Sequence, residues 1–211
     1  MKEKIIKLTH TISFLTVIIA AISMPLFFLP LTSEFFEFNK FSLLLTITII
    51  STISWSTRMV LQKRFSYTKT PLDVPLLILA GAVLIASFSS IDQYISIFGS
   101  GGNKWLTLSS FLTLVAFYFT SISSLRSKKE TGIVLFVLAA SSTLAAAISI
   151  FAYFGVFAPF DFAKFRSFNS LGSPNKLAIL ESIVLPLTLS WILFTSSRRT
   201  RTLSVISSAI L

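Results

Sequence analysis

Residues 132–154 decide the fold, and they read Gly132-Ile-Val-Leu-Phe-Val-Leu-Ala-Ala-Ser-Ser-Thr-Leu-Ala-Ala-Ala-Ile-Ser-Ile-Phe-Ala-Tyr-Phe154. The stretch contains no charged side chain. A helix that crosses a bilayer needs about 17–25 predominantly apolar residues, and this stretch meets that length and composition. It therefore predicts a transmembrane helix.

Apolar runs of similar length recur along the whole chain, which is 54% hydrophobic and only 12% charged. Soluble domains carry about 25% charged residues, so a soluble fold would leave these runs unexplained. We predict an all-α, polytopic transmembrane helix bundle that forms a single domain over residues 1–211. It has six complete spans and the start of a seventh, at 12–31, 41–57, 74–91, 105–125, 132–154, 177–195 and 203–211.

Composition also restricts the chemistry. The chain has no cysteine and one histidine, His10, which lies in the basic N-terminal tip. Disulfides, thiolate catalysis and cysteine-based metal sites are therefore excluded, and no histidine cluster exists to act as a base. We expect no metal site and no cofactor.

The distribution of the 18 Lys and Arg residues predicts the orientation of the spans. Thirteen flank one set of span ends. The other five flank the opposite ends, namely Lys40, Lys104, Lys164, Arg166 and Lys176. Positive charge accumulates on the cytoplasmic side, so we expect the N-terminus inside. The net charge of +10 is thus a topology signal, and no nucleic-acid partner is expected.

The segment Arg166-Ser-Phe-Asn-Ser-Leu-Gly-Ser-Pro-Asn-Lys176 joins an outer loop to the sixth span. Ser173 is a good N-cap and Pro174 a good first helical residue, so a helix is predicted to begin there. Its unpaired N–H groups and positive dipole end then point out of the membrane beside Asn175.

Three cations accompany that positive helix end, which is unfavourable unless an anion binds. We therefore predict a diphosphate-binding site at Arg166, Lys176, Asn175 and Lys164. The alternative is that these side chains are interfacial anchors, whose long stems extend toward lipid headgroups. Membrane lipid is an expected partner in either case.

Glu181 is the charged residue inside the sixth span, about 10 Å below Pro174 at 1.5 Å per residue. A carboxylate at this depth is expected to face the bundle interior. We expect a structural ion pair with Arg166 or Lys176 first, contact with a substrate hydroxyl second, and a catalytic base third.

Three sequence blocks lie at span edges in a fixed order. They are Thr70-Pro-Leu-Asp-Val-Pro-Leu-Leu77, Ser90-Ile-Asp-Gln-Tyr-Ile-Ser-Ile-Phe-Gly99, and Arg166 followed by Leu171-Gly-Ser-Pro-Asn-Lys-Leu-Ala178. Together they resemble the bacterial O-antigen ligase and O-antigen polymerase-like membrane family. The third block is similar to the family's Arg…Gly-Asn-Pro-Asn-x-x-Ala pattern, with Ser173 in place of the usual Asn.

The resemblance implies metal-independent transfer of a glycan from a polyprenyl diphosphate carrier to an acceptor sugar, lipid or protein. The reaction would take place at the outer face of the bacterial cytoplasmic membrane, and Arg166 would bind the diphosphate. Family members are longer, and their second half carries an outer loop with a histidine regarded as the base. The resemblance thus implies that this chain is the N-terminal part of a roughly twelve-span protein and is inactive alone.

Two other functions are compatible with the composition. One is half of a multi-spanning transporter or flippase for lipid-linked sugars, which broken helices or a mid-span charge facing a cavity would favour. The other is a non-enzymatic membrane scaffold whose outer cations bind headgroups. The three blocks taken together favour the transferase.

Overall fold

The computed structural model describes residues 2–29, 35–64, 67–100, 105–156, 165–194 and 198–211. All regular secondary structure in these ranges is α-helical, which confirms the predicted all-α class. The helices are α1 (Lys2–Leu26), α2 (Glu37–Gln62), α3 (Asp73–Phe88), α4 (Gln93–Phe98), α5 (Leu108–Ser124), α6 (Lys128–Tyr153), α7 (Pro174–Phe194) and α8 (Arg198–Ile210).

Four helices, α1, α2, α6 and α7, are long and apolar enough to cross a membrane. Helices α3 and α5 are apolar but contain 16 and 17 residues. At 1.5 Å per residue they measure about 24–26 Å, short of the roughly 30 Å hydrocarbon core. Four candidate spans are therefore established, and a count of six remains a prediction.

The ends of the helices are set by capping groups. Helix α5 begins at Leu108, after the predicted 105, because Thr107 and Ser110 form a reciprocal capping box. Helix α6 ends at Tyr153, where Gly155 adopts φ 71°. The Gly155 and Val156 N–H groups then bond back into the last turn, which is a Schellman ending.

The short helix α4 lies between the predicted third and fourth spans. The Asp92 side chain accepts a hydrogen bond from the Ile95 N–H (3.0 Å) and begins the helix. Gly99 ends it with φ 79°, a backbone conformation that glycine adopts without steric cost.

The chain forms two compact units, Met1–Ala20 with Glu37–Thr131 and Ala21–Phe36 with Gly132–Leu211. In the first unit α2 packs against α5, and Phe41 contacts Trp105 edge to face with ring centroids 6.0 Å apart. In the second, α7 packs against α8, and Ser208 donates a hydrogen bond to Thr188 (2.8 Å). A single transmembrane domain stays a prediction.

Threonine hydroxyls inside the long helices bond to their own backbone. In α2, Thr48 donates to the carbonyl of Leu44 (2.7 Å) and Thr52 to that of Thr48 (2.7 Å). In α5, Thr113 donates to Ser109 (2.7 Å) in the same way. These hydroxyls are satisfied within one helix, as expected for membrane helices that pack closely.

A hydrogen-bonded network fixes the start of α3. The Asp73 carboxylate accepts from the Thr70 N–H (2.8 Å) and from the Thr70 hydroxyl (2.6 Å). The Thr70 hydroxyl also bonds to the phenol of Tyr118 on α5, and the Tyr67 hydroxyl bonds to Asp73. The network joins α3 to α5. It gives Thr70 and Asp73 of the first sequence block a structural role.

We expect Tyr67 to ionise at unusually high pH. Partial burial and the hydrogen bond to Asp73 raise the pKa of Tyr67 from 10.0 to about 12. The stabilisation from this phenol is fully present below its unfolded-state pKa of about 10 and is lost as the pH rises through about 12. A titration followed by tyrosinate absorbance, with Tyr67→Phe as the reference, measures it. Ionisation of Tyr67 near 10 would show that the network does not form.

Candidate functional site

The loop before α7 is held by aromatic packing in the second unit. Phe168 is 9% exposed and packs against Phe28 (ring centroids 5.7 Å) and Phe36 (6.5 Å). Ala152 of α6 and Ile148 complete the apolar cluster. The loop that carries Arg166 is therefore positioned by a small hydrophobic core.

Buried polar side chains anchor the same loop. Ser170 is fully buried, and its hydroxyl donates a 2.6 Å hydrogen bond to the carbonyl of Pro25 near the end of α1. Asn169 is 2% exposed, and its amide bonds to the carbonyl of Ser167 and to the N–H of Leu171. The Asn169 bonds form an Asx-type turn, which fixes the backbone without a regular element.

Gly172 is required at its position for two physical reasons. Its φ of 87° lies in the left-handed region, where a side chain is disfavoured. A Cβ atom at this position would lie 2.7 Å from Cγ of Phe36, inside the contact distance. The glycine of the third block therefore has a structural explanation.

Helix α7 begins as the sequence predicted. Its first residue is Pro174, and the Ser173 side chain accepts a hydrogen bond from the Lys176 N–H (3.3 Å). The Ser173 carbonyl accepts the N–H of Leu177 (3.2 Å). Ser173 is thus the N-cap, and it performs the role for which Asn is also well suited.

Arg166 lines an open cleft of about 470 Å³ in the second unit. The other lining residues come from the end of α6, the residue after it, the loop and the start of α7, namely Ser149, Ile150, Tyr153, Phe154, Ser167 and Pro174. A second cleft of about 260 Å³ shares Ser167 and is walled mainly by phenylalanines. The guanidinium thus lies beside largely apolar and aromatic surface.

The predicted anion-binding residues are not all brought together. Arg166, Asn175 and Lys176 are exposed, but only Arg166 of these three lines the larger cleft. Lys164 lies outside the described residues. The structure thus places Arg166 at the cleft and Asn175 and Lys176 at the exposed first turn of α7, and the anion-binding role of these residues stays a prediction.

Glu181 is partly buried in α7 and makes no salt bridge with Arg166 or Lys176 in the described part of the chain. Lys176 and Glu181 are five residues apart on the same helix. At about 100° per residue their side chains point some 140° apart, so the expected pair does not form within α7.

Two aromatic residues at the site were not selected from the sequence. Tyr153 ends α6 and Phe154 follows it; they are 58% and 71% exposed and line the cleft beside Arg166. Their rings are in edge contact, 5.4 Å apart. The sequence does show two aromatic residues at the end of a predicted span. It does not show that they lie near Arg166, because that proximity depends on the tertiary fold.

The arrangement suits an amphipathic anion. A guanidinium binds phosphate oxygens in a bidentate manner, and exposed aromatic surface favours apolar chains. The first turn of α7 adds outward N–H groups beside Pro174 and Lys176. Comparison of the chain with protein-family models, curated proteins and solved structures finds no match.

Proposed function

We propose that this chain is the carrier-binding part of an integral membrane glycan transferase. The donor is a glycan on a polyprenyl diphosphate, and the acceptor is a sugar, lipid or protein at the outer face of the bacterial cytoplasmic membrane. The observation that carries the proposal is the cleft in which Arg166 lies against Tyr153, Phe154 and the first residue of α7. Resemblance of the three sequence blocks to O-antigen ligases and polymerases supports it.

The ligand has two chemically distinct parts, and the cleft offers a matching surface for each. A lipid diphosphate needs cationic donors at its phosphates and an apolar surface for its first isoprene units. Arg166 provides the former, and Ile150, Tyr153 and Phe154 provide the latter. A purely structural anchor would not need a cleft beside the guanidinium.

The proposed orientation places this cleft outside the cytoplasm. The proposed topology has six crossings, with α3 and α5 as short spans in addition to α1, α2, α6 and α7. Because α3 and α5 add a pair of crossings, the cleft lies on the same side with or without them. A helix shorter than the hydrocarbon core is accommodated by local bilayer thinning at modest cost. The excess of Lys and Arg at the opposite span ends supports the same orientation.

In the proposed reaction, an acceptor hydroxyl attacks the anomeric carbon and the bond to the carrier diphosphate breaks. Negative charge then develops on the departing phosphate oxygen, and a positioned guanidinium stabilises it. Arg166 is the residue proposed for that role. The base that removes the hydroxyl proton is not assigned to this chain, so the proposal concerns binding of the carrier.

Binding of the carrier tests the proposal directly. The purified chain in neutral detergent is titrated with undecaprenyl diphosphate, undecaprenol and inorganic diphosphate, and its melting temperature is followed. We expect the lipid diphosphate to bind at least about tenfold more tightly than either partial ligand, because each of those satisfies one half of the cleft. Equal affinity for undecaprenol and its diphosphate would refute an anion site.

A further inference from the structure

A fully buried arginine lies near the end of α2, within the first compact unit. Arg58 is 0% exposed, and its Nη2 donates a 2.9 Å hydrogen bond to the carbonyl of Ser123. Ser123 belongs to the last turn of α5, where carbonyl groups lack helical partners and carry partial negative charge. This bond satisfies one donor of the guanidinium.

The remainder of this guanidinium has no acceptor. Nε and Nη1 of Arg58 are buried, and neither makes a hydrogen bond to any residue that the structure describes. Arginine stays protonated and offers five N–H donors, so these atoms cannot become neutral. A buried charge without a counter-charge is strongly unfavourable, and the site calls for an additional anionic acceptor.

Two further basic side chains lie next to Arg58. The charge of Arg126 acts on both Arg58 and His10, and the His10 ring bonds to the backbone of Ser124. The Nε2 atom of His10 is buried and makes no hydrogen bond within the described ranges. Arg58 and His10 therefore bond to the backbone of consecutive residues at the end of α5, Ser123 and Ser124. Each also has a buried nitrogen atom with no acceptor among the described residues.

The carboxylate near Arg58, Arg126 and His10 is that of Glu130, and it already accepts hydrogen bonds from the backbone. Glu130 accepts the backbone N–H groups of Arg126 (2.7 Å) and Ser127 (3.2 Å) through Oε2, and thereby begins α6. Its Oε1 lies 3.7 Å from His10 Nε2, and no hydrogen bond joins Glu130 to Arg58. Glu130 thus fixes the backbone at the start of α6 and does not supply an acceptor to Nε or Nη1 of Arg58.

We propose that Arg58, Arg126 and His10 bind a phosphate group, either in the headgroup of an anionic phospholipid or as the free anion. Arg126 is exposed and His10 is 20% exposed, so these two form the entrance, with Arg58 beneath them. The site is independent of Arg166 and of the proposed transferase.

The test measures ligand-dependent melting of the full chain in neutral detergent. The probes are dihexanoyl phosphatidylglycerol, dihexanoyl phosphatidylcholine and inorganic phosphate. We expect Arg58→Gln to weaken the phosphatidylglycerol affinity at least about tenfold and Arg126→Gln to weaken it severalfold, because both lose charge-assisted hydrogen bonds. Arg64→Gln, an exposed cation just beyond α2, is the control and is expected to stay within about twofold.

The three probes separate the sources of the phosphate. Protection by phosphatidylglycerol alone identifies a lipid headgroup, whereas equal protection by inorganic phosphate identifies the free anion. The proposal is overturned if the unmodified chain binds none of the probes, or if Arg64→Gln weakens binding as much as Arg58→Gln. If Arg58→Gln does not fold, unchanged affinity in the Arg126→Gln variant overturns it instead.

Discussion

Arg166→Ala is expected to weaken binding of undecaprenyl diphosphate by about 10–100-fold. Hydrogen bonds to charged groups contribute about 1.5–3 kcal/mol, which corresponds to this range of affinity. Arg166 is exposed and lines the cleft, so its removal is not expected to unfold the loop, which Phe168 and Ser170 hold. Binding curves with the lipid diphosphate and with undecaprenol measure the change.

Two further variants make the Arg166 prediction specific. Arg166→Lys keeps the charge but loses the planar, bidentate geometry, so we expect an intermediate loss of about tenfold or less. Arg201→Ala removes an exposed cation from α8 and is expected to leave the affinity unchanged. Affinity for undecaprenol is expected to be the same in all three variants. Full affinity in Arg166→Ala would refute the proposed site.

Gly172→Ala is expected to destabilise the second unit by about 2–5 kcal/mol. An alanine at φ 87° costs about 1–2 kcal/mol in backbone strain, and forcing its methyl group into packed space costs about 1–3 kcal/mol more. The overlap is with Cγ and Cβ of Phe36, atoms close to the backbone that cannot swing away. Thermal unfolding in detergent measures the loss.

Other glycines of the same unit provide matched controls. Gly155 also has positive φ (71°), but no atom of the described residues lies within 4 Å of its added methyl group, so Gly155→Ala reports the strain alone. Gly132 lies within α6 in open space, and Gly132→Ala is expected to be neutral or to stabilise by about 0.5–1 kcal/mol. A Gly172→Ala variant no less stable than Gly155→Ala would show that Phe36 does not restrict the loop.

The fold was predictable where apolar length alone decides it. The run at 41–57 falls within α2, and the run at 132–154 extends one residue beyond the end of α6, because apolar composition persists through both helices. The boundaries were less predictable, since they depend on local caps such as Thr107 and Gly155. Helix α1 also extends to Lys2, through a charged segment that hydropathy does not select.

The candidate site was predictable only in its local part. Ser173 and Pro174 define the start of α7 through neighbouring backbone groups, so sequence suffices to place them. The proximity of Tyr153 to Arg166 depends on how α6 and the loop pack, which no spacing rule encodes. His10 was assigned no role, yet it bonds to the backbone of Ser124 and lies beside Glu130 through long-range packing.

The hydroxyls that bond to their own helix have a consequence for biogenesis. A free hydroxyl transferred into hydrocarbon loses its water without compensation, whereas Thr48 and Thr52 carry their acceptors with them. The threonine hydroxyls of such a helix are already hydrogen-bonded to its own backbone when it leaves the translocation channel. They need no acceptor from a partner helix. The threonines of α2 therefore need no partner helix during insertion, and packing of the helices against one another can follow as a separate step.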